Sequence, residues 1–172
     1  LQLLFNSLSM PVNSEKLQYI KNNNIIIISE EPLYYEQDSL PVILVKDVTR
    51  AWCKIGKYMK IAVPMPTIGI TGSIGKTTTV KFAQCVFSEK YRVFVSGLNR
   101  NVPGLVVRRM LKEYGPNYTM HIQETGGGDI KRVEHMATFL NTDAFGITKI
   151  EKKHHLDKYI TSDNLINDKT SF

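Results

Sequence analysis

The sequence predicts an α/β protein: a small αβ amino-terminal unit, then a phosphate-loop strand and helix within a mainly parallel sheet covered by helices on both faces. Three observations predict it. From Thr67 onward, short apolar runs alternate with segments whose apolar residues recur at helical spacing, and such alternation favours parallel strands joined by crossover helices. A glycine-rich loop, Thr71-Gly72-Ser73-Ile74-Gly75-Lys76-Thr77-Thr78-Thr79, falls between one such strand and its helix. The stretch Ala62-Val63-Pro64-Met65-Pro66 resists helix and favours an extended connection, so the domain boundary is expected there, giving units 1–63 and 64–172, each incomplete.

In chain order, Ser14 to Lys21 reads as helix, and Ile25 to Ser29 and Val42 to Lys46 as extended. Val48 to Met59 places Val48, Ala51, Trp52, Ile55 and Met59 at helical spacing. Past the prolines come strand Thr67 to Thr71 and helix Lys76 to Phe87, with Val80, Ala83, Val86 and Phe87 inward. Strand Arg92 to Ser96, helix Gly104 to Glu113, strand Tyr118 to Gln123, helix Ile130 to Phe139 and strand Asp143 to Thr148 complete the pattern. Ligands of such sheets sit in the loops beyond the carboxyl ends of the strands.

Composition narrows the function classes. With 172 residues and 42% apolar content, the chain can bury a core. The net charge of +6 comes from scattered Lys and Arg rather than a block, which describes a solvated basic surface and no nucleic-acid face. The two cysteines, Cys53 and Cys85, are in neither a disulfide framework nor metal-type spacing, which fits a reducing cytoplasm. The longest apolar runs, Ile25 to Ile28 and Leu40 to Val45, are too short for membrane insertion, and no signal-peptide pattern opens the chain. A start at Leu1 and a stop at Thr170-Ser171-Phe172, directly after a helical pattern, are expected of a fragment.

The loop carries the chemistry. At a helix amino end the first backbone N–H groups lack internal partners and the helix dipole is positive, so phosphate oxygens are received there. Lys76 adds a cation over the same oxygens, and the Thr77 hydroxyl is placed to ligate magnesium. Glu124, at the end of an apolar strand and beside Gly126-Gly127-Gly128, is the expected carboxylate ligand. A nucleoside triphosphate with Mg2+ is therefore the expected ligand. The general phosphate-loop pattern wants glycine five residues before Gly75, where this chain has Ile70.

That departure is itself a feature of the Mur ligases, ATP-dependent amide-forming enzymes of peptidoglycan assembly, whose loop reads T-G-x-x-G-K-T/S-T; the chain resembles this family from about Leu40 onward. Pro41 to Asp47 with its helix is similar to the end of the family's amino-terminal substrate domain. Asn99-Arg100-Asn101-Val102-Pro103-Gly104 resembles its Asn-rich turn near the phosphates. Glu124-Thr125-Gly126-Gly127-Gly128-Asp129-Ile130 resembles the E-x-G-x-x-x-G-[ED]-I segment of the branch that adds D-alanyl-D-alanine, with its second glycine displaced by one. Ile147-Thr148-Lys149-Ile150 and His154-His155-Leu156-Asp157 are similar to the family's I-T-N-I and H-L-[DE] pair, with Lys149 in place of asparagine and one extra residue before His155. Lys169 lies where most members carry a carbamylated lysine.

The resemblance implies transfer of the γ-phosphate to a substrate carboxylate and displacement of phosphate by an amine. It implies catalytic roles for Lys76, His155 and Lys169, and metal binding by Thr77, Glu124 and His155. Thr71, Gly72, Ser73, Ile74, Gly75, Lys76, Thr77, Thr78, Asn99 and Asn101 would contact the nucleotide. The substrates implied are a UDP-muramoyl peptide and D-alanyl-D-alanine; oligomeric state is not implied. A third domain closes over the nucleotide in the family, so this stretch is expected to be inactive alone. The residues themselves leave open His154 or His155 as metal ligand, a generic P-loop NTPase or kinase, and a nucleotide-binding remnant without catalysis.

Overall fold

The computed structural model describes residues 2–6, 14–23, 25–30, 42–96, 102–126, 136, 139–151 and 166–167. They form two compact units, Leu1–Ala51 and Trp52–Phe172. In the first, β1 (Gln2–Asn6), β2 (Ile25–Ser29) and β3 (Val42–Leu44) pair in parallel in that order, and α1 (Ser14–Asn22) joins β1 to β2. Ile25, Ile27 and Ile28 of β2 and Ile20 of α1 are buried, as an uninterrupted isoleucine run requires. Helix α2 (Val48–Ala62) begins at Asp47, whose Oδ1 accepts the Arg50 N–H at 2.8 Å, an N-cap bond; the Glu30 carboxylate accepts the Val48 N–H at 2.7 Å.

Strand β1 was not among the expected elements, because its short run shows no alternation that marks a strand; it is defined by backbone pairing to β2. Helix α2 runs beyond Met59 to Ala62, stopping where Val63, as the residue before Pro64, is disfavoured in helical conformation. The division between the two compact units lies inside α2. Its physical basis is that Trp52, Cys53, Ile55 and Met59 pack into the core of the second unit.

The second unit is built on β4 (Thr67–Thr71), β5 (Val93–Val95), β6 (Met120–Glu124) and β7 (Ala144–Ile147), all parallel, in the order β5-β6-β4-β7. Strand β4 is thus interior, with β6 on one side and β7 on the other. Helix α3 (Lys76–Ser88) covers one face, where Val80 is buried with Ile70 and Ile122, and Ala83, Phe87, Val93 and Val95 pack around them. On the opposite face Phe94 meets α2 and α4 (Pro103–Glu113) through Cys53, Val106, Val107 and Met110. Val93 and Val95 point one way and Phe94 the other, so strand alternation divides β5 between the two cores.

The parallel α/β architecture with helices on both faces is as expected, but one inward assignment is corrected. Val86 is 67% exposed, because at 100° per residue it lies far round the helix from the Val80–Ala83–Phe87 stripe. Most of the expected helix Ile130 to Phe139 lies outside the described residues; Met136, Phe139 and Leu140 are helical and buried in the second core.

At the amino ends of the strands, the Thr67 N–H donates to Asp143 Oδ2 at 2.8 Å and the Asp143 N–H to Thr67 O at 2.9 Å, fastening β4 to β7. Buried Lys60 donates to Thr67 Oγ1 and, at 3.3 Å, to Met65 O. Burial lowers the Lys60 ammonium pKa, and the Asp143 charge opposes that shift.

Candidate functional site

The loop after β4 takes its shape from two glycines. Gly72 has φ 140° and Gly75 φ 88°, values that side-chain-bearing residues rarely adopt. Gly75 is the N-cap of α3 and brings no side chain to cap it. The first bond of the helix runs from the Thr79 N–H to Gly75 O at 2.9 Å, with the Thr79 hydroxyl on the same oxygen at 2.9 Å. The N–H groups of the turn before it therefore point out of the helix toward the loop, where the dipole is positive.

The loop carbonyls are held by donors from two places. Lys76 Nζ donates to Gly72 O at 3.0 Å and Ser73 O at 3.3 Å, curling back over its own loop. From the end of β7, the Thr148 N–H donates to Thr71 O at 2.8 Å, and its hydroxyl lies 3.0 Å from Thr71 O and 2.7 Å from Ile74 O. Ser73 and Ile74 in turn donate their N–H groups to Lys149 O, at 2.8 and 3.2 Å. Lys149 thus meets the loop through its backbone, while its Nζ lies 3.8 Å from Glu151.

The carboxylate comes from β6. Glu124 is 1% exposed and its Oε2 accepts the Thr77 hydroxyl at 2.7 Å. Ile70 pairs with Glu124 in the β4–β6 register, so the strand order alone carries this carboxylate to the head of α3. The end of β6 is fixed from both sides: Thr125 donates its N–H and hydroxyl to Ile70 O at 2.8 and 3.1 Å, and buried Gln123 takes the Ser96 hydroxyl on Oε1 while donating to Glu124 O at 2.6 Å.

What the chain offers a cation here is a hydroxyl and a carboxylate, hard oxygen ligands of the kind Mg2+ takes alongside water and phosphate. Among the described residues no three His, Cys, Asp or Glu side chains are grouped as a metal site. Two further oxygens fit a bound polar ligand: Thr71 Oγ1 and Ser73 Oγ are buried in the loop without a hydrogen-bond partner, a costly state unless something bonds them. The site residues therefore fit a magnesium-bound phosphate group.

Of the residues expected in the site, Thr71, Gly72, Ser73, Ile74, Gly75, Lys76, Thr77 and Glu124 are brought together, with Thr78 exposed in the first turn of α3. Asn99, Asn101, His154, His155 and Lys169 lie outside the described residues. Sequence reasoning passed over the bonds Thr148 and Lys149 make to the loop and the Ser96–Gln123 pair. The available signal was positional: in a parallel sheet the ends of neighbouring strands lie side by side.

A family model described as the Mur ligase middle domain matches residues 70–172. The curated UDP-N-acetylmuramoyl-tripeptide--D-alanyl-D-alanine ligase of Bacillus subtilis (strain 168) is 32% identical over 117 residues, which is 67% of this chain and 25% of that protein. A crystal structure of MurF from Acinetobacter baumannii superposes with a TM-score of 0.80 at 19% identity, over 97% of this chain and 36% of that one. The MurF ligase of Thermotoga maritima, solved in complex with ADP, gives 0.77 at 18% identity, over 97% of this chain and 38% of that one. The chain spans a quarter of the curated relative and a little over a third of these structures, whose likeness shows the fold. Since the family model covers the loop from Ile70 and continues through Glu124 and the end of β7, the chain belongs to the Mur ligase family.

Proposed function

We propose that the protein to which this chain belongs is an ATP-dependent ligase of peptidoglycan precursor synthesis. It activates a substrate carboxylate as an acyl phosphate for attack by an amine. The observation that carries this reading is the Thr77 hydroxyl bonded to the buried Glu124 carboxylate at the head of α3, beside a loop shaped for phosphate. The curated relative, a ligase acting with D-alanyl-D-alanine on a muramoyl tripeptide, supports a UDP-muramoyl peptide as carboxylate substrate and D-alanyl-D-alanine as amine. The Thermotoga maritima ligase, solved in complex with ADP, supports an adenine nucleotide as the bound ligand.

In this reading the chain's residues manage charge. A triphosphate and a carboxylate repel each other, so donors fixed in advance near the transferring group stabilise the transition state. Lys76 leaves the Gly72 and Ser73 carbonyls to place its ammonium on phosphate oxygens, and the first-turn N–H groups of α3 receive the rest. Thr77 and Glu124 would hold magnesium, which when bound offsets phosphate charge. His155 and Lys169 are proposed to serve a second metal, with Asn99 and Asn101 near the phosphates.

The test is phosphate release by the full-length protein given ATP, magnesium and UDP-muramoyl tripeptide, with and without D-alanyl-D-alanine. Release that requires the dipeptide is expected. Dipeptide-independent release identifies a generic P-loop NTPase, and ATP binding without release identifies a non-catalytic nucleotide-binding protein; either outcome overturns the ligase reading.

A further inference from the structure

We propose that Thr148 is a positioning residue for the phosphate loop, holding the loop open to nucleotide through its side-chain hydroxyl. The proposal rests on the nucleotide reading of the site.

Carbonyl oxygens repel phosphate, so a loop that binds triphosphate must keep its carbonyls turned away and bonded elsewhere. Each carbonyl from Thr71 to Gly75 has a donor. Thr79 serves Gly75 O, Lys76 serves Gly72 O and Ser73 O, and Thr148 serves Thr71 O and Ile74 O. These donors do not persist equally. Lys76 is charged and is drawn to phosphate when it is present, releasing its two carbonyls. Thr148 is neutral and has no such alternative, so its bonds remain.

The hydroxyl has one proton and lies within reach of two carbonyls, 3.0 Å from Thr71 O and 2.7 Å from Ile74 O, so it spans the base of the loop from its first residue to its fourth. Thr71 O retains the Thr148 N–H if the hydroxyl is removed, whereas Ile74 O keeps only its backbone bridge to Lys149 and loses its side-chain donor. Thr148 itself is anchored: it directly follows Ile147, the partner of Thr71 in the β4–β7 register. The fit to the loop is tight, since a Cβ on Gly72 would strike Thr148 Oγ1 and would lie 3.3 Å from Lys149 O. The loop is thus held from the β7 side by Thr148 and Lys149, and from the β6 side by the Thr77–Glu124 bond.

The test compares Thr148→Val, which keeps the branched shape and removes the donor, with Thr148→Ser, which keeps the donor. Affinity for ATP is measured on the full-length protein by displacement of a fluorescent ATP analogue, with thermal unfolding followed alongside. The valine variant is expected to bind ATP about tenfold more weakly, with a melting temperature lowered by no more than about 5 °C for the lost hydrogen bond, and the serine variant to stay within about twofold of the parent. If valine prevents folding, Thr148→Ala carries the same expectation. Valine binding like the parent, or serine weakened as much as valine, overturns the proposal. A parent protein that binds no ATP overturns the nucleotide reading itself and this proposal with it.

Discussion

The Thr77 hydroxyl donates to the Glu124 carboxylate at 2.7 Å across two neighbouring strand-and-loop units, joining the head of α3 to the end of β6. Neither residue alone makes a cation site. Together they present a neutral and an anionic oxygen at the place where the loop would hold phosphate. Glu124→Gln keeps an oxygen acceptor for Thr77 and removes the charge. It is expected to leave the fold intact and to raise the magnesium concentration needed for half-maximal phosphate release by at least tenfold, measured by magnesium titration of the full-length protein.

Lys76→Ala should remove phosphate release while sparing the fold, because the lysine's bonds are to loop carbonyls at a partly buried surface. Loss of one preorganised donor of this type costs about 3 kcal/mol in the transition state, or about 10²-fold in rate. Near-normal turnover with an unchanged circular dichroism spectrum would remove the central claim about the loop.

Gly72→Ala meets two obstacles at once: φ of 140°, and the Thr148 hydroxyl where the new methyl would go. Strain of this kind costs about 1–3 kcal/mol. The variant is expected to unfold at lower denaturant concentration and to bind ATP more weakly, readable in one urea titration and one binding isotherm.

His121 predicts an acid-sensitive core. It is fully buried beside Phe94 and Tyr114, with ring centroids 5.1 and 5.7 Å away, and neither ring nitrogen has a hydrogen-bond partner of good geometry. Burial, helped by the Lys60 charge, lowers its pKa from 6.5 to about 3, with Gln123 opposing the shift. The unfolded chain then binds more protons than the folded one between those values, so this contribution to stability is complete above pH 6.5 and is lost as pH falls toward 3. The slope from one such proton is at most about 1.4 kcal/mol per pH unit. His121→Gln should flatten the fall in stability between pH 6 and about pH 4, measured by urea unfolding at stepped pH. An unchanged slope would show that other groups set it.

Met110→Ala tests the second core. Met110 is fully buried on α4 with Val106 and Val107, and truncation should cost about 2–5 kcal/mol by chemical denaturation, with site residues untouched. An effect below 1 kcal/mol would mean that this side of the sheet collapses readily around the gap.

The loop and the strand-helix alternation were legible in the sequence because their causes are local. Gly72 and Gly75 are glycines because their own backbone angles demand it, Val80 and Phe87 lie two helical turns apart on one face, and the isoleucines of β2 read as a buried strand wherever they are packed. Glu124 was legible as a candidate from its place at the end of an apolar run. Its bond to Thr77 was not, since that depends on β6 and not β5 lying next to β4. The clasp of Thr148 on Thr71 and Ile74 and the burial of His121 between aromatic rings share the same reason. Each is set by which distant segment becomes a neighbour, and strand order is a property of the packed chain that no local spacing encodes.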